Sequence, residues 1–147
     1  PIFAGTNRSM IGRIEGGTNA QRCYALSFTS DNLTYVRPGF GSSDGTTLFE
    51  DYATGGDIKS AWTHVAVTYD GSNVRIYTNG AEVTGSPFAR THTVNETTAD
   101  LTFGSTADLG YHDVPDCGEM DEVFIFNVAL TEREVREVML CQTPHQR

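Results

Sequence analysis

Acidic side chains cluster near the C-terminal end of the chain, in a long polar stretch where they could bind a cation. Calcium takes six to eight oxygen ligands from carboxylates and backbone carbonyls, so a loop that brings several carboxylates together could bind it. Without a cation these charges repel each other and spread into solvent, which is the alternative interpretation. The acidic residues of the loop at 104–118 and its border are Asp108, Asp113, Asp116 and Glu119.

The Glu-Met-Asp run at 119–121 suggests a second chemistry, the cleavage of glycosidic bonds. Retaining glycosidases use two carboxyl groups about 5–5.5 Å apart, one as nucleophile and one as acid. Alternate residues of a strand share a face, so a partner for Glu119 is needed near position 123 or 124. Val123 and Phe124 stand there, and Glu122 points to the opposite face. No nucleophile elbow, phosphate loop or zinc-protease motif is present, and we predict that the chain is not an enzyme.

Three Asn-X-Ser/Thr triplets begin at Asn7, Asn32 and Asn95. Such triplets can be glycosylated only in a secretory pathway. They favour a secreted, extracellular or cell-surface protein.

Three cysteines are present, and in an oxidising compartment two of them should pair. Cys117 and Cys141 flank a predicted strand and helix whose ends could meet at the roughly 5.5 Å Cα separation of a disulfide. We predict this pair, with Cys23 as the third thiol, although a pairing that includes Cys23 stays open. The spacing of the cysteines fits no zinc motif.

The net charge of the chain is −9, from ten basic and nineteen acidic residues. The basic residues are scattered, which argues against nucleic acid as a partner, since backbone contacts need a basic patch. No apolar run approaches the length of about 18 residues that a membrane helix needs. An acidic surface is compatible with calcium, with solubility or with a basic partner.

Several aromatic residues fall in or near predicted loops, where a ring could stack on a sugar. Packing in a core is the commoner use of aromatic side chains, so this role is one of two alternatives for each of them. The candidates are Tyr35, Phe40, Tyr52 and Tyr111.

Short alternating runs between turn signals predict an all-β sandwich of two sheets. The clearest stretch is 61–85, where Asp-Gly at 70–71 and Asn-Gly at 79–80 supply the positive φ that tight hairpin turns need. We expect three strands there, in a meander. Apolar residues on both faces of 120–126 predict a strand in the centre of the sandwich. The other predicted strands are Gln21–Phe28, Asn32–Arg37, Thr46–Tyr52 and Ala99–Phe103.

One helix is predicted at Glu132–Leu140. Thr131 is its N-cap, and Glu134 three residues later completes a capping box. Val135, Val138 and Met139 form the i, i+3, i+4 stripe that should dock on the sandwich. We therefore expect one domain over residues 1–141 and a polar tail at 142–147.

Two stretches resemble a known family. Residues 61–80 are similar to the central hairpin of LamG-like jelly-roll domains in the concanavalin A-like lectin/glucanase superfamily, and residues 118–131 resemble their closing strand and helix cap. Pentraxins and laminin G domains share this architecture more distantly. The resemblance implies a two-sheet antiparallel jelly-roll sandwich with one short C-terminal helix, in which Trp62 and Tyr77 are core residues.

The resemblance also implies a calcium site. In the wider superfamily an acidic side chain of the closing strand often binds a structural calcium, and Asp121 occupies the matching position. A likeness to pentraxins would suggest a second calcium in the loop that carries Asp108, Asp113 and Asp116. Domains of this kind usually begin with two or three strands before the segment that residues 2–5 resemble. Either this version is shortened or a partner chain supplies those strands.

Three functions follow as hypotheses. The first is an extracellular, lectin-like or adhesive recognition module that binds a glycan or a protein and is stabilised by calcium. The second is a structural subunit of an extracellular or surface assembly, completed by strands from a partner chain. The third is a residual glycosidase.

Overall fold

The computed structural model describes residues 8–14, 22–28, 35–41, 48–50, 53–54, 61–91, 93–104 and 119–141. Within these ranges, ten strands form two antiparallel sheets, and one helix, α1 (Glu132–Cys141), follows them. None of the described residues belongs to a helix with the length and apolar character to cross a membrane. The strands are β1 (Arg8–Ile14), β2 (Arg22–Phe28), β3 (Tyr35–Gly41), β4 (Leu48–Glu50), β5 (Ala53–Thr54), β6 (Val65–Tyr69), β7 (Asn73–Thr78), β8 (Ala81–Glu82), β9 (Phe88–Ala89) and β10 (Leu101–Phe103).

The first sheet has the strand order β10-β1-β2-β3-β4, with β5 also paired to β3. Its outer strand β10 joins the earliest strand β1, with Ile11 opposite Phe103 and Arg13 opposite Leu101. This pairing links strands that are far apart in sequence. It is one reason why the predicted all-β sandwich could be assigned as a class but its strand order could not.

The second sheet is the meander β6-β7-β8, with β9 on the free part of β7. Asp70 initiates the first turn, because its Oδ1 accepts hydrogen bonds from the backbone N–H groups of Ser72 (2.8 Å) and Asn73 (2.7 Å). The second turn places Asn79 at φ 49° and Gly80 at φ 77°, both in the left-handed region. The predicted meander is therefore confirmed, including both turns.

The core lies between the two sheets. Ile76 and Val83 of the meander region pack with Val36 of β3. Ile76 and Val36 are fully buried. Leu26, Val65, Val67 and Phe88 surround this cluster as half-buried neighbours.

Helix α1 begins and docks as the sequence predicts. The backbone N–H and the hydroxyl of Thr131 both donate to Glu134 Oε2 at 2.7 Å, and Glu134 N–H donates back to Thr131 Oγ1 at 3.4 Å. Val135 is buried, and Arg136 Nε donates to the carbonyl of Gly80 at 2.9 Å, which ties the helix to the β7–β8 turn.

The all-β class, the strand at 21–28 and the meander are confirmed, and the other strands differ mainly in their ends. β3 overlaps the strand expected at 32–37 and continues to Gly41, and β4 lies within the strand expected at 46–52, with β5 just beyond it. β10 covers the C-terminal part of the strand predicted at 99–103.

Two expectations are wrong. Residues 120–126 form no strand and are exposed, because none of the described strands pairs with them and Glu122 has a φ of 52°, which interrupts an extended backbone. Trp62 is 62% exposed, since it precedes β6 and does not lie within it. Tyr77, the other residue expected in the core, is buried as predicted.

Candidate functional site

The most unusual surface of the described chain is residues 120–128, here called the apolar segment. Large hydrophobic side chains dominate it, and each is between 40% and 63% exposed. Monomeric soluble proteins rarely leave so continuous an apolar run in water unless it meets a partner. The exposed hydrophobic residues are Met120, Val123, Phe124, Ile125, Phe126 and Val128.

The apolar segment faces helix α1 across a groove, here called the apolar groove, with a volume of about 420 Å³. Phe124 and Phe126 form one wall, and their rings stack with centroids 6.3 Å apart and planes 25° apart. The two rings therefore lie on the same side of the apolar segment. Leu130 and Val138 complete the apolar lining, with Glu134, Glu137 and Cys141 beside them.

The backbone of the apolar segment is open. Across the described part of the chain, no backbone hydrogen bond joins residues 123–128 to another segment. Near its N-terminal end, Asp121 Oδ1 accepts a hydrogen bond of 2.9 Å from the backbone N–H of Glu122, whose φ is 52°. The segment therefore presents apolar side chains to solvent, together with peptide groups that no other described segment pairs.

The surroundings of the apolar segment are acidic. Residues 119–141 contain six acidic and two basic side chains, a net charge of −4, whereas the other 124 residues together carry −5. Both arginines are engaged within the helix, since Arg133 pairs with Glu137 at 3.0 Å and Arg136 pairs with Glu132. Hydrogen bonds from Thr131 lower the pKa of Glu134 and keep it ionised.

The structure leaves the calcium predictions open. Asp121 is exposed and accepts the hydrogen bond from Glu122. Asp108, Asp113 and Asp116 lie outside the described residues. Among the residues that the structure does describe, no three acidic, histidine or cysteine side chains converge as a metal site would require.

The aromatic residues proposed to stack on a sugar are only partly described. Phe40 lies in β3, half-buried, and its ring packs against Tyr69 with centroids 5.3 Å apart. Tyr35 begins the same strand, and Tyr52 and Tyr111 lie outside the described residues. The ring that the structure exposes most clearly is Trp62, which sequence reasoning had assigned to the core.

Cys23 and Cys141 are both free thiols in the structure. Cys23 is buried in β2, and this burial raises its pKa. Cys141 is exposed at the end of α1, and Cys117 lies outside the described residues, so the structure does not show the expected Cys117–Cys141 disulfide.

The predicted glycosylation sites are largely undescribed. Asn95 is half-buried, and its backbone N–H donates to the carbonyl of Gly41 at 2.8 Å. Asn7 and Asn32 lie outside the described residues. The use of these sites stays a prediction.

Sequence reasoning missed the apolar segment as a surface, although its signal was present. Hydrophobic residues on both faces of 120–126 were interpreted as a central strand. The same pattern is expected of a segment that pairs with a partner chain. The acidic residues on each side of it are the feature that could have separated the two interpretations.

Comparison with known proteins gives a family match and one structural match. A family model described as the concanavalin A-like lectin/glucanases superfamily (Laminin_G_3) matches residues 3–136. No curated protein is significantly similar to the chain. A crystal structure of residues 221–444 of an S-layer domain-containing protein from Clostridium thermocellum is similar at 17% identity with a TM-score of 0.36. That match covers 94% of this chain and 65% of the other, so this chain spans about two thirds of that structure's length.

Proposed function

Since the chain belongs to the Laminin_G_3 family of the concanavalin A-like lectin/glucanases superfamily, we propose that it is an extracellular, non-catalytic recognition module whose ligand is a protein or a glycan. Membership of this superfamily is consistent with an extracellular module and with either class of ligand. The superfamily also includes glycosidases, so the absence of catalysis is part of the proposal.

The observation that carries the proposal is the exposed apolar segment. An exposed run of large hydrophobic residues beside a groove is typical of a site that binds another molecule. The acidic residues next to it lack the pair of carboxyl groups that a retaining glycosidase uses, since Val123 and Phe124 stand where a partner for Glu119 is needed. Glu119 and Asp121 are both exposed to water.

The test of this function is a binding screen on printed glycans and on immobilised extracellular proteins. It compares the wild-type chain with the double variant Phe124→Ser/Phe126→Ser and with Trp62→Ser, which removes an equally exposed ring elsewhere. We expect binding that the double variant loses and Trp62→Ser keeps if the apolar segment is the site. Release of reducing sugar from the printed glycans, abolished by Glu119→Gln, would show an enzyme and overturn the proposal.

Calcium is a separate part of the proposal, centred on Asp121. A cation that binds only the folded chain stabilises it by about 2.7 kcal/mol at a concentration of 100 times its Kd. Thermal unfolding in calcium and in EDTA should therefore differ, and the difference should disappear in Asp121→Ala. Equal midpoints in both buffers would remove calcium from the proposed function.

The second candidate function is a structural subunit completed by a strand from a partner chain. The backbone of residues 123–128 favours it, because peptide groups that no described segment pairs, beside apolar side chains, are a template for strand addition. A stable complex with no glycan ligand would be the expected result for such a subunit.

A further inference from the structure

The apolar segment also indicates the chemistry of its partner, and this inference rests on the proposed recognition function. Three features bear on it: the backbone, the side chains and the charge. Each restricts the partner further.

The backbone favours an extended partner. Residues 123–126 lack backbone hydrogen bonds to any described segment, and the rings of Phe124 and Phe126 lie on the same side, as alternate residues of a strand do. A strand laid alongside can pair with these peptide groups, which is the mode of recognition known as strand addition. A helical partner would leave the same groups unpaired.

The side chains favour an apolar alternation in the partner. Phe124 and Phe126 lie on one side, towards Leu130 and Val138, while Ile125 remains exposed. Successive residues of an added strand point alternately to the two sides. Every second side chain of the partner would therefore enter the apolar groove.

The charge decides between a second copy of this chain and a different partner. Two copies paired through this surface would bring together two regions that each carry −4. Like charges that meet across an interface disfavour association, whereas opposite charges speed it and fix its orientation. Glu134 and Glu137 line the groove, within reach of long basic side chains that can lay their aliphatic stems on an apolar surface.

We propose that residues 123–126 and the apolar groove bind an extended segment of another protein in which apolar residues alternate with lysine or arginine. The apolar side chains of that segment fill the groove between Phe124, Phe126 and helix α1. Its basic side chains meet the carboxylates that surround the groove. Its backbone pairs with the open edge of the apolar segment.

The probes are blocked ten-residue peptides labelled with a fluorophore. The first alternates valine and lysine, the second replaces each lysine with glutamate, and the third keeps the lysines but is N-methylated at alternate residues. We expect the lysine peptide to bind at least about tenfold more tightly than the glutamate peptide, with an affinity that falls as sodium chloride rises. N-methylation should abolish binding, since it removes the hydrogen-bond donors of one edge.

Three variants test whether the binding is on this surface. Phe124→Ser/Phe126→Ser should abolish it, and Trp62→Ser should leave it unchanged. Glu122→Gln/Glu137→Gln keeps the apolar surface and removes two charges, so it should weaken the lysine peptide about fivefold, since exposed ion pairs contribute little each. Circular dichroism of each variant verifies that the fold is intact.

The outcomes separate this inference from the proposed function. Equal binding of the lysine and glutamate peptides, or binding that survives Phe124→Ser/Phe126→Ser, would overturn the inference. A dimer in solution that dissociates in that double variant would make a second copy the occupant and would equally overturn it. A chain that binds printed glycans through Trp62 and no peptide keeps its recognition function and loses this inference, whereas a chain that binds no probe of either kind loses both.

Discussion

The meander β6–β8 and the apolar segment are both rich in large hydrophobic residues, but the meander buries such residues and the apolar segment exposes them. Both alternate or cluster large apolar residues over a few positions. In the meander Val74 and Ile76 are completely buried. In the apolar segment Phe124 and Ile125 are more than half exposed.

The difference lies in how each region finds its hydrogen-bond partners. The meander closes on itself through two turns, and Asp70 and Gly80 supply the local hydrogen bonds and the positive φ that these turns need. The apolar segment has no such turn: it contains Glu122 at a φ of 52°, and helix α1 begins shortly after it. An apolar pattern thus becomes a buried strand only where another strand is brought alongside it.

The largest expected effect tests whether the two regions differ as much in stability as in exposure. Ile76→Ala removes a fully buried side chain between the sheets and should cost about 3 kcal/mol of unfolding free energy. Ile125→Ala removes an equally large side chain from the surface and should cost less than about 0.5 kcal/mol. Urea unfolding of both variants and the wild type measures the two values at constant slope.

Equal losses of unfolding free energy in Ile76→Ala and Ile125→Ala would contradict this difference between the meander and the apolar segment. That result would mean that the apolar segment is covered in solution, and its exposed surface could not then be the recognition site. A small loss for Ile76→Ala would instead show that the two sheets do not pack on each other through this residue.

A smaller effect is expected from the turns of the meander. Gly80→Ala places a Cβ 2.8 Å from Arg136 Cγ and 3.3 Å from Met139 Cε at a φ of 77°, so we expect a cost of about 2 kcal/mol from strain and displacement together. Gly71→Ala has a φ of 89° but open space around its Cβ, and strain alone should cost about 1 kcal/mol. Unfolding midpoints of the two variants measure the difference, and equal costs would show that helix α1 does not press on the β7–β8 turn.

The same difference separates the features that the sequence predicts from those that it does not. The meander, its two turns and the capping box at Thr131 depend on residues within a few positions of each other, and these were predicted correctly. The pairing of β1 with β10 depends on residues about ninety positions apart, and no local pattern specifies it. The exposure of Trp62 and of residues 120–126 depends on which other segments of the chain pack against them. A local pattern of hydrophobic residues carries no information about such distant contacts.

The cap of helix α1 follows the apolar segment in the chain, and its loss should have a moderate effect. Thr131→Ala removes the hydroxyl that bonds to Glu134, and such caps contribute about 1 kcal/mol. Thr84→Ala, in an exposed turn, is the matched control and should change stability by less than about 0.5 kcal/mol.

The same cap makes a prediction for acid pH. The hydrogen bonds from Thr131 lower the pKa of Glu134, so its contribution to stability is present above the pKa of the unfolded chain and is lost as pH falls through the lower folded value. Urea titrations at several acid pH values should show a steeper loss for the wild type than for Thr131→Ala. Parallel curves would show that Glu134 does not depend on this cap.

The smallest expected effect concerns His64, at the entrance of the meander. Its backbone N–H donates to Asn79 Oδ1 at 3.1 Å, and its carbonyl accepts from the backbone N–H of Asn79 at 2.9 Å. Its buried imidazole Nδ1 has no hydrogen-bond partner among the described residues. Burial lowers the pKa of His64 below its usual value of 6.5, so the unfolded chain takes up this proton more readily than the folded one.

The stability contributed by neutral His64 is therefore complete above pH 6.5 and declines as pH falls from there towards the folded pKa. Replacement by Gln removes the titration, so the unfolding free energy of His64→Gln should depend less steeply on pH between about 7.5 and 5.5 than that of the wild type. Thr84→Ala, which removes no titratable group, is the control and should keep the wild-type slope. If His64→Gln also kept that slope, the meander would owe its pH response to other groups, and the hydrogen bonds between His64 and Asn79 would fix the geometry of the second turn without coupling it to pH.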